Sequence, residues 1–182
     1  MELGPPTDSA RFAETALPHL DAAYNLARWL TRDPADAADV VQEAMTRALR
    51  FFGGFRGGNG KSWLLTIVRN TAFDWMKTNR PPEMMTATSI GDDGARDIVD
   101  TLAAEGDDPE AALIRATDKR TLDALIAALP AEFRECLVLR EMEDLSYKEI
   151  AAVTGVPIGT VMSRLARARQ MMQRGWLLEN AS

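Results

Sequence analysis

Apolar side chains recur every three or four residues along most of this chain, which is the spacing that places them on one side of an α-helix. No stretch shows the two-residue alternation of a half-buried strand. Pro18 interrupts the first helical stretch, because a proline inside a helix removes a hydrogen bond and clashes with the preceding turn. The pattern predicts an all-α protein with amphipathic stretches at residues 9–31, 34–52, 62–80, 109–129, 131–142, 146–153 and 157–172.

The stretch from Leu145 to Arg169 predicts a helix-turn-helix. Ser146 and Glu149 have the spacing of a capping box, which starts the first helix, and Gly155 can adopt the left-handed conformation that ends it. Pro157 stands where the second helix begins, a position that needs no amide hydrogen. Helical geometry places the apolar residues of the second helix on one side and its polar residues on the other. The apolar side holds Val161, Leu165, Ala168 and Met172, and the polar side holds Thr160, Ser163, Arg167 and Gln170.

This polar, arginine-bearing face predicts contact with DNA. An ordinary helical hairpin with solvated arginines is the alternative. The region from Leu145 to Gly175 favours DNA because it carries five basic residues against Glu149 as its one acid.

The net charge of −6 is distributed unevenly along the chain. Residues 81–112 hold nine acidic residues and one basic residue, whereas residues 1–80 and 113–182 each hold ten basic and nine acidic ones. Residues 81–107 also contain Pro and Gly and show no lasting period, which indicates a flexible linker. We therefore expect two small helical domains, at residues 1–80 and 110–182, joined by an acidic linker at residues 81–109.

Few residues are available for metal or redox chemistry. The chain has one cysteine and one histidine, so it lacks both an internal disulfide framework and the ligands of a zinc site, and we expect no metal, cofactor or catalytic group. Cys136 is interpreted as a small core residue. No run of about 18 apolar residues exists, and the first residues are neither basic nor apolar, which predicts a cytoplasmic protein without membrane insertion.

Asp33 and Pro34 predict the start of the second helical stretch, by a side-chain cap followed by a proline in the first turn. Its exposed side is strongly polar, and simple solvation of that side is one interpretation. The residues expected to face inward are Ala37, Val40, Val41, Ala44, Met45, Ala48 and Leu49, and those expected outside are Asp36, Asp39, Gln42, Glu43 and Arg47.

A glycine-rich loop at residues 53–60 precedes the third stretch and ends in Lys61 and Ser62. A phosphate-binding P-loop is rejected, because Phe55 stands where its first glycine belongs and the loop follows a helix instead of a strand. The third stretch combines a helical apolar period with a mixture of cations, amide and aromatic side chains that suits single-stranded nucleic acid, although its tryptophans also suit a core. That mixture consists of Lys61, Arg69, Asn70, Phe73, Lys77 and Arg80.

Taken in order, these elements resemble a compact alternative sigma factor of bacterial RNA polymerase, of the extracytoplasmic-function (ECF) class. Residues 36–49, DAADVVQEAMTRAL, resemble the family's region that docks on the clamp helices of the polymerase β′ subunit. Residues 61–75, KSWLLTIVRNTAFDW, resemble the segment that melts and reads the −10 element. Residues 129–169 resemble the domain that reads the −35 element.

The resemblance implies partners and site residues. The partners are core RNA polymerase, through its β′ clamp and β flap, promoter DNA, and an anti-sigma factor. Polymerase binding is expected at Asp36, Asp39, Val41, Gln42 and Glu43. Contact with the −10 element is expected at Lys61, Arg69, Asn70, Thr71, Phe73, Asp74 and Lys77, with the loop around Asn70 receiving a flipped base. Contact with the −35 element is expected at Thr160, Met162, Ser163, Arg164, Ala166 and Arg167.

One position departs from the family pattern, and one rival function stays open. Met162 stands where relatives often have Arg or Lys, which removes a cation from the reading helix and points to a different −35 preference. The rival is a stand-alone helix-turn-helix regulator whose N-terminal domain dimerises or senses a ligand, but such a regulator would have no reason to contain the stretch from Asp36 to Trp75. An enzyme is disfavoured, since no base, nucleophile or metal constellation is present.

Overall fold

The structure, a computed structural model, describes residues 8–79 and 109–179, and for residues 109–116 the helical backbone alone. All regular structure in these two ranges is helical, which confirms the predicted all-α class. The linker predicted at residues 81–109 lies outside the described residues except for Pro109, and so does Arg80.

Four helices form the N-terminal lobe, residues 8–79. They are α1 (Asp8–Ala16), α2 (Leu20–Thr31), α3 (Pro34–Phe51) and α4 (Gly60–Asn79). Pro18 lies in a 3₁₀ turn at Leu17–His19 between α1 and α2, so the predicted interruption is confirmed. Asp33 caps α3 as predicted, accepting hydrogen bonds from the amides of Ala35 at 2.8 Å and Asp36 at 3.0 Å. Helices α2, α3 and α4 pack against one another around Leu26, Leu30 and Leu64, all fully buried.

Leu49 corrects the predicted inward face of α3. Its side chain is 55% exposed, whereas Ala37, Val40, Val41, Ala44 and Ala48 are buried and Met45 is partly buried against the core. The buried residues of α3 recur every three or four positions, and the last of them is Ala48. Leu49, the next residue, points about 100° further around the helix. Leu49 is thereby carried off the face that contacts α2 and α4.

Four more helices form the C-terminal lobe, residues 109–179. They are α5 (Pro109–Ala128), α6 (Ala131–Glu141), α7 (Tyr147–Thr154) and α8 (Ile158–Glu179). Helix α8 packs against α5, α6 and α7, and the lobe's core includes Leu139, Ile150 and Leu165. On α6, Leu137 and Leu139 are buried, Phe133 is partly buried, and Cys136 is buried as predicted for a core residue.

The two lobes pack against each other. Helix α2 contacts α6, and α4 contacts α7, so one continuous cluster of buried apolar side chains runs through both lobes. Charged residues are buried with it: Arg134 is 3% exposed and Glu135 is fully buried. The amphipathic pattern identified the helices but did not indicate this contact between the lobes.

Candidate nucleic-acid and polymerase interfaces

The local sequence sets the geometry of the α7–α8 helix-turn-helix. The Ser146 side chain accepts from the Glu149 amide at 3.2 Å, and the Glu149 carboxylate accepts from the Ser146 amide at 2.7 Å, which confirms the capping box. Gly155 ends α7 with φ 71°, a left-handed conformation that favours glycine. Pro157 immediately precedes α8, and its carbonyl accepts from the amide of Thr160 at 2.9 Å. The capping box, Gly155 and Pro157 together fix the angle at which α8 leaves the turn.

Helix α8 buries its apolar side and exposes its polar side. Val161, Leu165 and Ala168 are at most 1% exposed. Of the predicted −35 residues, Met162, Ser163, Ala166 and Arg167 are exposed and Thr160 is half-buried. Arg167 makes no ion pair with any described residue, which leaves its guanidinium accessible at the surface of the lobe. Such a face suits insertion into the major groove, where arginine reads a guanine edge or a phosphate.

Arg164 differs from the other residues predicted to read the −35 element. Its guanidinium lies 3.3 Å from the Glu135 carboxylate and 3.5 Å from that of Glu132, and its side chain is 15% exposed. The residue therefore joins α8 to α6 inside the C-terminal lobe.

The residues of α4 that are predicted to contact the −10 element differ in their exposure to solvent. Asn70, Asp74 and Lys77 are exposed, and Lys61, Arg69 and Phe73 are half-buried. Thr71 is buried and donates its hydroxyl hydrogen to the Ile67 carbonyl at 2.8 Å, which places it within the helix packing. The Arg69 guanidinium lies 4.1 Å above the Phe73 ring, a cation–π arrangement.

Both half-buried cations of α4 are bound by the C-terminal lobe. Arg69 forms a two-point ion pair with Glu135, at 2.8 Å and 3.1 Å. The Lys61 ammonium lies 3.1 Å from the Glu143 carboxylate and donates to the Glu143 carbonyl at 2.8 Å. Burial raises the pKa of Glu135, while the Arg69 guanidinium opposes that rise by favouring the ionised carboxylate.

Two amides complete these contacts between the lobes. Asn25 of α2 donates to the second oxygen of Glu143 at 2.6 Å. Asn59 caps α4, accepting from the Ser62 amide at 3.1 Å, and donates to Glu149 at 2.6 Å. Together these contacts form the inter-lobe clasp, in which Asn25, Asn59, Lys61 and Arg69 contact Glu135, Glu143 and Glu149. Glu135 and Glu143 were not among the residues predicted from the sequence, since an acidic residue near an apolar run does not reveal which cation it will pair with.

The predicted polymerase-binding residues lie on one surface of α3, except for Val41. Asp39, Gln42 and Glu43 are exposed and Asp36 is half-buried, whereas Val41 is 9% exposed and packs with the core. Arg47 pairs with Glu43 at 2.8 Å and with Asp74 of α4 at 3.1 Å. A groove of 330 Å³ follows this bridge between α3 and α4.

Comparison with known proteins assigns a family to this arrangement. Residues 16–81 match the model for Sigma-70 region 2, and residues 119–172 match the model for Sigma-70, region 4. The RNA polymerase sigma-H factor of Pseudomonas aeruginosa is 38% identical over 150 residues, which are 78% of this chain and 74% of that protein. The ECF RNA polymerase sigma-E factor of Haemophilus influenzae is 34% identical over 151 residues, 81% of this chain and 77% of that protein. The chain belongs to the ECF family of RNA polymerase sigma factors.

A solved structure supports the same assignment. The sigma factor RpoE, determined in complex with the anti-sigma factor NepR from Bartonella quintana, is 28% identical to this sigma factor with a TM-score of 0.68, covering 91% of this chain and 96% of that one. The two sigma factors therefore share their fold over most of their length.

This sigma factor has one cysteine. Cys136 is fully buried, and burial beside the Glu135 carboxylate raises its pKa to about 11, as fits a core residue. Within residues 8–79 and 109–179, no three potential metal ligands come together. None of the helices described is both long enough and apolar enough to cross a membrane.

The glycine-rich loop serves the packing of the N-terminal lobe. Phe52 and Phe55 stack with ring centroids 5.8 Å apart, and Trp63 of α4 lies 5.0 Å from Phe55. Gly57 and Gly58 have φ values of 89° and 102°, backbone conformations that residues with a Cβ rarely adopt. The loop thereby returns the chain from α3 to Asn59 at the start of α4.

Proposed function

We propose that this ECF sigma factor directs core RNA polymerase to its promoters by dividing three contacts between its lobes. Residues 1–80 dock on polymerase and open the −10 element, residues 110–182 read the −35 element, and residues 81–109 connect them. The exposed polar face of α8, on a helix-turn-helix within the region 4 match, is the observation that carries this proposal.

Recognition of the −35 element is assigned to α8. Thr160, Ser163 and Arg167 are directed to base edges and phosphates, because they share the polar side opposite the buried Val161 and Leu165. Met162 and Ala166 add apolar contacts such as those that read a thymine methyl group. Arg164, at the edge of this face, is assigned a supporting role, because its ion pairs with Glu132 and Glu135 hold α8 against α6.

Opening and reading of the −10 element are assigned to α4. Asn70 is exposed and has an amide that can pair with the edge of a flipped base. Arg69, Phe73 and Lys77 supply charge and a stacking surface for the separated strand, with Lys61 at the start of the helix. Thr71 supports this surface by its hydrogen bond to the Ile67 carbonyl within α4. Asp74 supports it by its ion pair with Arg47 of α3.

Attachment to polymerase is assigned to the α3 surface of Asp36, Asp39, Gln42 and Glu43, with Val41 beneath it. Its acidic character suits a basic partner surface, which we identify as the β′ clamp, and the C-terminal lobe is assigned to the β flap. A stand-alone regulator is not favoured, since it would not account for the region 2 match over residues 16–81.

We propose further that this sigma factor performs no chemical step itself, that it acts in the cytoplasm, where polymerase and chromosome meet, and that an anti-sigma factor controls it. The solved relative bound to the anti-sigma factor NepR supports the last of these assignments.

Transcription start mapping after overexpression tests the function. The upstream sequences of induced transcripts should share two elements with constant spacing. Purified chain and core polymerase should then start transcription at those promoters.

A charge-reversal pair tests the docking surface. Asp39→Lys should abolish co-elution with core polymerase, while Asp21→Lys, an equal change at an exposed position of α2, should not. If the unaltered chain never associates with core polymerase, the proposed function is wrong.

A further inference from the structure

The first three turns of α8 expose a surface that is almost uncharged. The structure describes every residue from Ile158 to Arg167, and six of them are exposed, of which Arg167 alone carries a charge. The recognition helix of a helix-turn-helix presents its N-terminal residues to base edges. The part of α8 that meets the bases therefore consists mainly of uncharged residues, namely Ile158, Gly159, Met162, Ser163 and Ala166.

Three of these residues form one apolar row along the helix. Ile158, Met162 and Ala166 are spaced four residues apart, which places neighbouring side chains one above the other. Ile158 is 45% exposed and Met162 is 52% exposed. Singly scattered apolar side chains are normal on a surface, whereas a row of adjacent ones indicates a contact site. At 1.5 Å per residue the row is about 12 Å long, the height of roughly three to four stacked base pairs.

The major groove offers one kind of apolar group to such a row. Each base pair presents hydrogen-bond donors and acceptors there, and thymine adds its C5-methyl group. The side chains of Ile158, Met162 and Ala166 carry no hydrogen-bond donor, so they cannot make the two-point hydrogen bonds by which arginine reads guanine or asparagine reads adenine. Contact between a methyl group and an apolar side chain removes both from water, which is favourable. The chemistry of the row therefore matches thymine.

Gly159 lies beside the row, and the fold does not require glycine there. Its φ is not in the positive range. Apart from its own helix backbone and chain neighbours, no atom lies within 4 Å of the position that a Cβ would occupy. Glycine is less favourable than alanine in a helix. The missing side chain at this exposed position leaves room for the backbone of α8 to come close to the bases.

The charge of the helix-turn-helix favours DNA as the partner of the row. Lys148, Arg167 and Arg174 are exposed, and Glu149 is the one acidic residue within residues 145–175. A polyanion whose groove carries methyl groups satisfies both the basic residues and the apolar row. A second copy of this chain would instead bring like charges together, which opposes association.

We propose that Ile158, Met162 and Ala166 form a methyl-reading row, which makes this sigma factor prefer −35 elements that carry thymines next to the position contacted by Arg167. The inference rests on the proposed function of α8. It extends that function from single apolar contacts to a preference for one base along the length of the row. Met162 is the central residue, since Ile158 and Ala166 lie one turn to either side of it.

Exchange of thymine for deoxyuridine tests the row, because the two bases pair identically and differ by the C5-methyl group alone. Holoenzyme formed from the full chain and core polymerase is bound to a mapped promoter, and then to duplexes in which each thymine of the −35 element is replaced in turn. Loss of one methyl contact should weaken binding about threefold to fivefold at one or more positions. The same exchange in DNA flanking the element is the control and should leave binding unchanged. Filter binding measures the affinities.

Met162→Ala connects the thymine preference to the row. The variant should bind the thymine promoter less tightly and should no longer distinguish thymine from deoxyuridine at a sensitive position, as expected for two groups in direct contact. Met171→Ala is the matched control, since it makes the same substitution at a methionine that is 42% exposed further along α8. That variant should keep both the affinity and the discrimination.

Gly159→Ala supplies a readout that a structural role would not give. Alanine favours a helix and meets no protein atom at this position, so the free energy of unfolding should stay the same or rise. Promoter binding should nevertheless weaken, because the added methyl group separates α8 from the bases. Full promoter binding by Gly159→Ala would overturn the close approach on which the row depends.

The remaining outcomes separate this proposal from the proposed function. Arg167→Ala should weaken binding to thymine and deoxyuridine duplexes in the same proportion. If Arg167→Ala weakens binding while no thymine of the element is sensitive, or the mapped element contains none, α8 reads the element but the methyl-reading row is wrong. Full discrimination by Met162→Ala likewise overturns the row. If neither Arg167→Ala nor any base exchange changes binding, the proposed function of α8 fails as well.

Discussion

The two candidate DNA surfaces of this sigma factor differ in what their cations contact. On α8, Arg167 is exposed on a polar face that the protein leaves uncovered. On α4, Arg69 and Lys61 are paired with Glu135 and Glu143 of the opposite lobe. Both surfaces look alike in sequence, as cations on an amphipathic helix. Their availability to DNA differs because only one of them faces the other lobe.

Glu135 is the residue at which the two surfaces meet. It is fully buried, and it pairs with Arg69 from α4 and with Arg164 from α8. One carboxylate thus links a residue proposed for each promoter element. The ion pairs of α8 at the protein surface, such as that of Arg169 with Glu141, involve side chains that are about half exposed. Burial makes the Glu135 contacts far less sensitive to screening by salt.

The largest effect is expected from Glu135→Ala. Removing this carboxylate takes from Arg69 its carboxylate partner and from Arg164 the more buried of its two, which should lower the free energy of unfolding by about 3 kcal/mol. Glu132→Ala is the control, because Glu132 is 61% exposed and pairs with Arg164 at 3.5 Å, a contact expected to contribute at most about 1 kcal/mol. Urea denaturation measures both. Equal losses in the two variants would show that Glu135 is no more important than a surface residue.

Arg167→Ala tests the accessible surface. Loss of this guanidinium should weaken binding of the polymerase complex to its −35 element by about 1–3 kcal/mol. Arg174→Ala removes the same charge from an exposed position further along α8 and should have a much smaller effect. Filter binding on a mapped promoter, with and without a substituted −35 element, supplies the measurement. If both variants bind the promoter equally well, α8 does not read the element through Arg167.

Asn70→Ala tests the other surface. Its side chain is exposed and is proposed to hold a flipped base, so its loss should reduce promoter opening by about tenfold, equivalent to roughly 1.4 kcal/mol, with little change in −35 contact. Asn79→Ala serves as control, since that amide bonds the Trp75 carbonyl of its own helix. Permanganate reactivity of unpaired thymines reports opening, and footprinting reports −35 contact. A parallel loss of both signals would contradict the division of labour between α4 and α8.

Local features of the fold could be predicted from the sequence because each depends on residues close together in the chain. The Asp33 cap, the break at Pro18 and the capping box of Ser146 and Glu149 all act within one helical turn. The buried face of α8 could also be predicted, from the helical spacing of its apolar residues. In each case the partner that satisfies a residue lies within a few positions of it.

The contacts between the lobes could not be predicted in this way. Arg69 and Glu135 are 66 residues apart in the chain, and Lys61 and Glu143 are 82 apart. Nothing in the spacing of either residue identifies its partner, so Arg69 was interpreted from its own helix alone. The exposure of Leu49 was missed for a related reason, since the edge of an apolar stripe is decided by the helices that pack on it.

Glu149 makes one contact that was predicted from the sequence and one that was not. Of the substitutions considered, a change at Glu149 should have the smallest effect on stability. Its carboxylate accepts from the Ser146 amide within the capping box and from Asn59 across the lobes. The hydrogen bonds from Ser146 lower the pKa of Glu149 below its ordinary value of 4.5. The resulting stabilisation is therefore present above that ordinary value and is lost as the pH falls through the lower, folded-state pKa.

Glu149→Gln keeps a hydrogen-bonding side chain but removes the charge at the start of α7. The variant should be less stable by about 0.3–1 kcal/mol near neutral pH, and the difference should close in acid as Glu149 of the unaltered chain becomes protonated. Urea denaturation at a series of pH values measures the difference, and Glu141→Gln is the control on the neighbouring helix. A difference that persists unchanged in acid, at a pH where Glu149 is protonated in both the folded and the unfolded state, would mean that the charge of Glu149 contributes nothing to the cap or to its contact with Asn59.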